Sequence, residues 1–222
     1  MTKTLPYVIA ISRQLGSGGA YLGQRLAVRL NAVYLDHEIV AQAAQELNIS
    51  EEYLKARDEK VTSNWQSVLR SLAYSNSWSY APPPLDILHD EDLYSVEADI
   101  IKRVANQRNA IIVGRGAFYI LREHPRCLSV FLHAELGFRQ KRVEEIYHVS
   151  PQKALKLINS VDQDRAQYLK ALTGRDWLDA TQYHLSLDTS VLGMEKAEHI
   201  IVETLHARIG DLEVKHHEAA SA

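Results

Sequence analysis

The residues best suited to chemistry are a cluster of glycines near the N-terminus. Gly16–Gly19 follow a short apolar run, residues 7–11, that is typical of a strand buried on both faces. Glycine permits backbone conformations that other residues avoid, so consecutive N–H groups can turn toward one point at the start of the following helix. The helix dipole and these N–H groups attract anions. The segment therefore predicts a phosphate-binding or nucleotide-binding turn, although glycine clusters also form plain tight turns.

A second set of candidates consists of arginines and one aspartate farther along the chain. Arg115 lies in the segment VGRG behind another apolar run, and two pairs, Arg139 with Arg142 and Asp162 with Arg165, are spaced three apart. At that spacing both members of a pair project from one helix face. An isolated Asp–Arg pair is ordinarily a solvated ion pair. The second pair, however, stands just before a helix end and the polar segment LTGRDWLDATQ, where a basic turn can close over a phosphate.

Strand-like and helix-like segments alternate along the chain, which predicts an α/β fold with a mostly parallel sheet and helices on both faces. The predicted strands cover residues 7–11, 32–36, 110–113, 128–133 and 184–188, and the main predicted helices cover 20–30, 37–47, 93–108, 135–148, 151–173 and 194–209. Three consecutive prolines within residues 75–92 predict a loop. Ligands bind at the carboxyl ends of strands in such sheets. The glycines, Asp36, Arg115 and Asp188 lie at or just beyond the ends of predicted strands, so we expect them to converge on one crevice.

The composition favours a single domain that acts on small molecules. With 222 residues the chain is long enough for one buried core. Its net charge of −3 provides no broad electrostatic footprint for nucleic acid or an anionic membrane. The lone Cys127 cannot form an intramolecular disulfide, and the N-terminal segment lacks an apolar signal or span, which together predict a cytoplasmic protein. Nothing in the sequence supports or excludes a homo-oligomer.

The ordered succession of these segments resembles the cytidylate kinase-like family, relatives of the bacterial cytidylate kinases among the P-loop nucleoside monophosphate kinases. The resemblance runs from about residue 7 to about residue 205. It is carried by ISRQLGSGG after the first strand, YLD after the second, IIVGRGAFYIL around the third, VFLHAELGFRQKR from the fourth, SVDQDRAQYLKALTGRDW at the lid position and LDTSVLGMEKA at the end. The order of the six segments is more specific than any one of them.

The resemblance implies a three-layer P-loop kinase-type fold in one domain over residues 1–210, with a five-stranded parallel sheet, helices on both faces and a helical lid. The lid is expected at about 162–183, an acceptor-side helical insertion at about 48–108 and a disordered tail at 211–222. The same resemblance implies ATP as the phosphoryl donor, a nucleoside monophosphate such as CMP or dCMP as the acceptor, and Mg²⁺, whose ligands the sequence does not identify.

The resemblance also implies roles for individual residues. The donor phosphates would be surrounded by Gly16, Ser17, Gly18, Gly19 and Ala20. The acceptor would meet Arg115 at its phosphate, Asp36 near its sugar or base, and Asp162, while Arg165 would reach the phosphates from the lid. Phosphoryl transfer needs alignment and positive charge rather than covalent help, so a set of this kind is chemically sufficient.

The glycine segment departs from the phosphate-binding loop GxxxxGK[ST] at three positions. Arg13 stands at the first glycine, Gly19 at the lysine and Ala20 at the hydroxyl that would bind magnesium. The acids that cytidylate kinases carry around the GR motif are replaced by Val113 and Gly116. One hypothesis is that Arg13 replaces the missing lysine from the other end of the loop, since its planar fork can bind two phosphate oxygens. The alternative is that Arg13 pairs with a neighbouring carboxylate.

Two other functions stay open at this point. A nucleotide-binding regulatory protein would keep the fold but lose turnover with the lysine and the metal ligands, and the sequence does not separate it from an active kinase. A dinucleotide-binding oxidoreductase would use Asp36, 20 residues after Gly16, as a ribose ligand, but Tyr21 occupies the position of the third glycine. The aromatic side chains either stack on a base or pack internally; they are Trp65, Trp78, Tyr80, Tyr168 and Trp177.

Overall fold

The computed structural model describes residues 5–36 and 91–220, with side chains over 5–36 and 97–210. The predicted helix at 37–47 and most of the predicted loop at 75–92 lie outside the described residues. So do Trp65, Trp78 and Tyr80, and the greater part of the predicted insertion at 48–108.

Five strands in the described ranges form one parallel sheet. They are β1 (Val8–Arg13), β2 (Val33–Leu35), β3 (Ala110–Val113), β4 (Cys127–His133) and β5 (Leu185–Asp188). Their order across the sheet is β2-β3-β1-β4-β5, and every adjacent pair is parallel. The five predicted strands are confirmed. β1 extends two residues farther than predicted, so Arg13 is the last residue of the central strand and not part of the turn.

The helices of the described ranges alternate with these strands. They are α1 (Gly19–Arg29), α2 (Glu91–Gln107), α3 (Ala117–Ile120), α4 (Leu136–Tyr147), α5 (Pro151–Thr173) and α6 (Thr189–Ala220), and a short 3-10 turn covers Ala180–Gln182. The bounds of α5 agree with the prediction because its signals are local. Ser150 accepts a hydrogen bond from the Lys153 N–H at 3.4 Å, Pro151 opens the first turn, and Gly174, with φ 70°, ends the helix.

The last helix differs from its prediction at both ends. Its first turn begins at Thr189, directly after β5, and Gly193, with φ 73° and ψ 163°, interrupts it before the main helix. The helix then continues to Ala220, through residues 211–220 that were predicted to form a disordered tail. Leu, Glu, Lys and Ala are frequent in this stretch, and their helix propensity favours continuation once the preceding turns have formed.

The core lies in two layers, one on each face of the sheet, because successive strand residues point to opposite faces. Val8 and Ala10 pack in one layer with Ile101 of α2. Ile9 packs in the other layer with Leu22 of α1 and with the apolar face of α6. Each large side chain buried in this way contributes roughly 1.5–3 kcal/mol of stability. The prediction of helices on both faces of the sheet is confirmed.

A smaller apolar cluster joins the loop after β1 to the helix pair α4 and α5. Leu15 packs there with Val143 of α4 and with Ile158 and Val161 of α5. The glycine loop is thus supported by the same helices that carry Arg139, Arg142, Asp162 and Arg165. This packing brings charged side chains that are distant in sequence to the carboxyl end of the central strand.

Candidate functional site

The loop between β1 and α1 has a backbone conformation that favours glycine at two positions. Gly16 and Gly18 have φ angles of 84° and 89°, in the left-handed region. A Cβ on Gly16 would lie 2.7 Å from the carbonyl oxygen of Arg139, and one on Gly18 would lie 2.7 Å from Sδ of Met194. Larger residues at either position would therefore combine backbone strain with steric overlap.

The N-terminus of α1 has no side-chain cap. Gly18 is its N-cap residue. The hydroxyl of the fully buried Ser17 is engaged within the loop, because it donates to the carbonyl oxygen of Gln14 at 2.9 Å. Thr189 holds the loop from the side of β5 by donating to the Ser17 carbonyl oxygen at 2.9 Å. Uncapped N–H groups at the positive end of a helix dipole suit an anion.

Asp162 connects the lid-side helix α5 to the glycine loop. One of its oxygens accepts the backbone N–H of Leu15 at 2.8 Å, and the other accepts Nη1 of Arg139 at 2.5 Å. Arg139 also donates to the Leu15 carbonyl oxygen at 3.4 Å. Arg165 lies farther away, with Nη1 at 3.7 Å from Oδ1 of Asp162. The contacts of Asp162 brace the loop; its contact with an acceptor stays a prediction.

Two adjoining clefts open at the carboxyl ends of β1 and β3. The loop cleft, of about 410 Å³, is lined by Gln14–Gly16, Gly18–Ala20, Val143, Ile146, Tyr147 and three arginines, Arg13, Arg142 and Arg165. The second cleft, of about 320 Å³, is lined by Ser12, Gly114, Arg115, Gly116, Tyr168, Leu169, Trp177 and again by Arg13 and Arg165. Arg13 and Arg165 therefore lie where the two clefts meet. No acidic side chain is among the described residues that line either cleft.

The two shared arginines are close together and poorly solvated. Nη1 of Arg165 donates to the backbone carbonyl of Arg13 at 3.1 Å. Burial lowers the pKa of Arg13, and burial together with the charge of Arg13 lowers the pKa of Arg165 to about 9. Asp162 and, for Arg13, Asp36 offset this loss only in part. A bound anion would stabilise the charged form of both guanidinium groups.

Arg115 has a different environment from the other arginines. It adopts φ 52°, which is unusual for a residue with a side chain. Its guanidinium forms an ion pair with Glu97 of α2, and both side chains are almost completely buried. The guanidinium also lies 5.2 Å from the ring centroid of Tyr168. Burial raises the pKa of Glu97, and Arg115 opposes that rise. Arg115 is thus brought to the second cleft, but its charge is already balanced.

Two aromatic residues near the second cleft have different surroundings. Trp177 is only 3% exposed and packs edge-on against Phe131, with ring centroids 5.8 Å apart. Its ring also lines the cleft, and its buried Nε1 has no hydrogen-bond partner among the described residues. Tyr168 is half-buried and faces Arg115. Trp177 is therefore part of the core, and one edge of that core forms the cleft wall.

The structure separates the predicted site residues by location. The glycines, Ala20, Arg13 and Arg165 line the loop cleft, Arg115 lines the second cleft, and Asp162 lies behind the loop. Asp36 follows β2 and lines neither cleft. The sequence predicts only that Arg142 shares a helix face with Arg139. In the structure Arg142 lines the loop cleft, and its guanidinium carbon lies 5.9 Å from the ring centroid of Phe138. Its three-residue spacing from Arg139 was the available signal.

A five-stranded parallel sheet with a glycine loop after its central strand is the arrangement of P-loop kinases. The family model described as "Cytidylate kinase-like family" matches residues 8–191, and the chain belongs to that family. Among solved structures, an uncharacterized protein from Eubacterium ventriosum ATCC 27560 is similar at 21% identity and a TM-score of 0.68, covering 90% of this chain and 98% of that one. A gluconokinase from Sinorhizobium meliloti 1021 is similar at 14% identity and a TM-score of 0.53, covering 96% and 99%.

These likenesses to solved structures agree in the fold. None of the curated proteins compared with the chain matches it. The helices in the described residues include none that is both long enough and apolar enough to span a membrane. Family and fold together support a phosphotransferase.

Proposed function

We propose that the protein transfers the γ-phosphoryl group of ATP to a nucleoside monophosphate, with CMP and dCMP as the first acceptors to test. The observation that carries the proposal is the meeting of the two clefts at Arg13 and Arg165. A donor whose phosphates lie against the uncapped start of α1 would direct its terminal phosphoryl group toward these two arginines. An acceptor in the second cleft would then approach that group from the other side.

The chemistry needed at this junction is charge stabilisation and alignment. The transferred phosphoryl group carries charge on three equatorial oxygens, and preorganised donors at that point lower the barrier. The guanidinium groups of Arg13 and Arg165 come from different elements, and the Arg165 hydrogen bond to the Arg13 carbonyl fixes their relative position. The second cleft supplies Ser12 and Arg115 to the acceptor side.

The residues of the glycine loop do not supply the usual ligands for Mg²⁺. Ala20 carries no hydroxyl, and the described residues contain no group of three His, Cys, Asp or Glu side chains arranged to hold a metal ion. These residues do not form the metal site of a standard P-loop, in which a hydroxyl binds Mg²⁺. We therefore assign the charge stabilisation to the arginines.

A turnover assay tests the proposal. The full chain is incubated with ATP and magnesium, and ADP production is measured with CMP, dCMP, UMP, AMP and GMP, and with gluconate as a non-nucleotide alcohol. We expect ADP production that depends on one of the monophosphates and is lost in Arg165→Ala. Arg122→Ala, in which a largely exposed arginine outside both clefts is changed, is the matched control. Turnover with gluconate alone would show that the acceptor is an alcohol and not a nucleoside monophosphate. Undiminished turnover in Arg165→Ala would refute the assignment of the active site to the junction of the two clefts.

One observation favours a second function, that of a nucleotide-binding regulatory protein. Arg115, the residue expected to bind the acceptor phosphate, is held by Glu97 and covered by Tyr168. A protein that binds ATP without an acceptor has no need to release this arginine. Stoichiometric ATP binding without ADP formation, for every acceptor in the panel, is the result that this alternative predicts.

A further inference from the structure

Two of the residues that differ from GxxxxGK[ST], Arg13 and Gly19, lie in direct contact. The side chain of Arg13 leaves the end of β1 and passes directly over Gly19. A Cβ built on Gly19 would lie 2.6 Å from Cγ and 2.8 Å from Cβ of Arg13. A lysine at position 19 and an arginine at position 13 therefore exclude each other sterically. Arg13 and Gly19 therefore depend on each other, because the arginine side chain fits only where residue 19 has no side chain.

A second glycine accommodates the far end of the same side chain. The Arg13 guanidinium lies against Gly114, whose φ of 90° is left-handed, and a Cβ at that position would overlap Nη1. Gly114 follows β3, the strand beside β1. The side chain is thus threaded between one glycine at the start of α1 and another at the end of β3. This path delivers its charge to the junction of the two clefts.

The charge of Arg13 is only partly compensated within the described residues, by Asp36 and Asp162, which oppose the effect of burial on its pKa. No carboxylate in these ranges forms an ion pair with it, in contrast to Arg115 and Arg139. Another arginine, Arg165, lines the same clefts and donates to the backbone carbonyl of Arg13. Two neighbouring cations in a poorly solvated cleft favour the binding of an anion.

We propose that Arg13 replaces the P-loop lysine, with its guanidinium, threaded past Gly19 and Gly114, binding the terminal phosphate oxygens of a nucleoside triphosphate. This inference depends on the proposed function for the identity of the ligand, but it concerns binding and not turnover. A planar guanidinium can donate two parallel hydrogen bonds to a phosphate, where a lysine acts as a point charge.

The test exchanges the two residues and measures binding without any acceptor. ATP and inorganic triphosphate are titrated by calorimetry into the wild-type chain, Arg13→Ala, Gly19→Lys, the double variant Arg13→Gly with Gly19→Lys, and the control Arg122→Ala. Loss of one charged hydrogen-bonding group predicts roughly 10- to 150-fold weaker binding in Arg13→Ala. Gly19→Lys weakens binding through its overlap with Arg13. The double variant restores binding to both ligands, because it rebuilds a lysine loop in the space that Arg13 vacates.

Three outcomes separate this inference from the proposed function. Unchanged affinity in Arg13→Ala, or a double variant that binds no better than Gly19→Lys while its circular dichroism is native, overturns the role of Arg13. A wild-type chain that turns over no acceptor, together with weaker ATP binding in Arg13→Ala, refutes the kinase proposal and supports Arg13. A wild-type chain that binds neither ATP nor triphosphate overturns both.

Discussion

The two clefts differ in how their positive charges are balanced. Arg142 lines only the loop cleft and forms no ion pair with a described carboxylate, and the uncapped start of α1 adds further positive potential there. Arg13, which lines both clefts, also forms no such ion pair. In the second cleft, Arg115 is paired with the buried Glu97 and covered by the ring of Tyr168. An arginine without an ion-pair partner can bind phosphate directly, whereas an arginine in an ion pair must first separate from its carboxylate. The comparison indicates a preorganised donor side and an acceptor side that rearranges on binding.

The largest expected effect comes from breaking the Arg115–Glu97 pair. Arg115→Ala leaves the carboxylate of Glu97 buried without its partner, and removal of one member of a buried pair costs about 3–5 kcal/mol. We expect a loss of that size in the free energy of unfolding, measured by chemical denaturation at neutral pH. Replacing both residues, as in Arg115→Met with Glu97→Leu, should recover most of it.

The pH dependence of this variant has a defined sign. Burial raises the folded-state pKa of Glu97, and loss of Arg115 removes the charge that opposes the rise. A raised folded-state pKa means that the native state binds more protons than the unfolded state, so its stability falls as pH rises through that pKa. The loss of unfolding free energy caused by Arg115→Ala should therefore become smaller as the pH falls toward the usual pKa range of a carboxyl group. A penalty below about 1 kcal/mol at neutral pH would show that Arg115 is not held as tightly as the comparison requires.

Asp162→Ala tests the brace behind the loop cleft. The substitution removes the acceptor of the Leu15 N–H and the partner of the buried Arg139. Because Asp162 is partly exposed, with 18% of its side chain accessible, we expect a smaller loss of stability than for Arg115→Ala, about 2–4 kcal/mol. Denaturant unfolding measures it, and ATP affinity should fall in parallel because the loop loses its support.

Asp164→Ala is the matched control for this brace. It removes a carboxylate from the same helix, and no hydrogen bond or ion pair joins that side chain to the described part of the loop. Its effect on unfolding should stay within about 0.5 kcal/mol. Equal effects in the two aspartate variants would mean that the contacts of Asp162 with the loop contribute nothing specific.

Local sequence patterns predicted the sheet, the bounds of α5 and the position of the glycine loop, because each depends on neighbouring residues. The site contacts have no local signal. Asp162 meets Leu15 across 147 positions of sequence, and Arg115 meets Glu97 from another element. The two additional residues at the end of β1 place Arg13 in the strand and thereby set the direction of its side chain. Only the packing of α1 against β1 and β3 reveals that Arg13, Gly19 and Gly114 form one steric unit.

Gly18→Ala tests whether the loop cleft is preorganised by its backbone. The added Cβ meets both a left-handed φ and the side chain of Met194, so we expect a loss of about 1–3 kcal/mol and weaker ATP binding. Gly137→Ala is the control, since it lies near the start of α4 and an added Cβ meets no atom within 4 Å. It should raise stability by about 0.4–1 kcal/mol. Similar results for the two glycines, in thermal unfolding and in calorimetry, would argue against a rigid loop.

The smallest effect concerns the charge of Arg165 in the empty loop cleft. Burial and the neighbouring charge of Arg13 lower its pKa to about 9, against the opposing influence of Asp162 and Tyr147. A bound anion favours the protonated guanidinium, so binding above that pH must take up a proton and becomes weaker as the pH rises. We expect the affinity for inorganic triphosphate to be nearly constant from about pH 7 to 8.5 and to fall up to roughly tenfold per unit above pH 9. In Arg13→Ala the decline should begin at higher pH, because the repulsion that lowers the pKa is gone, and a decline at the same pH in both proteins would contradict the coupling of the two arginines.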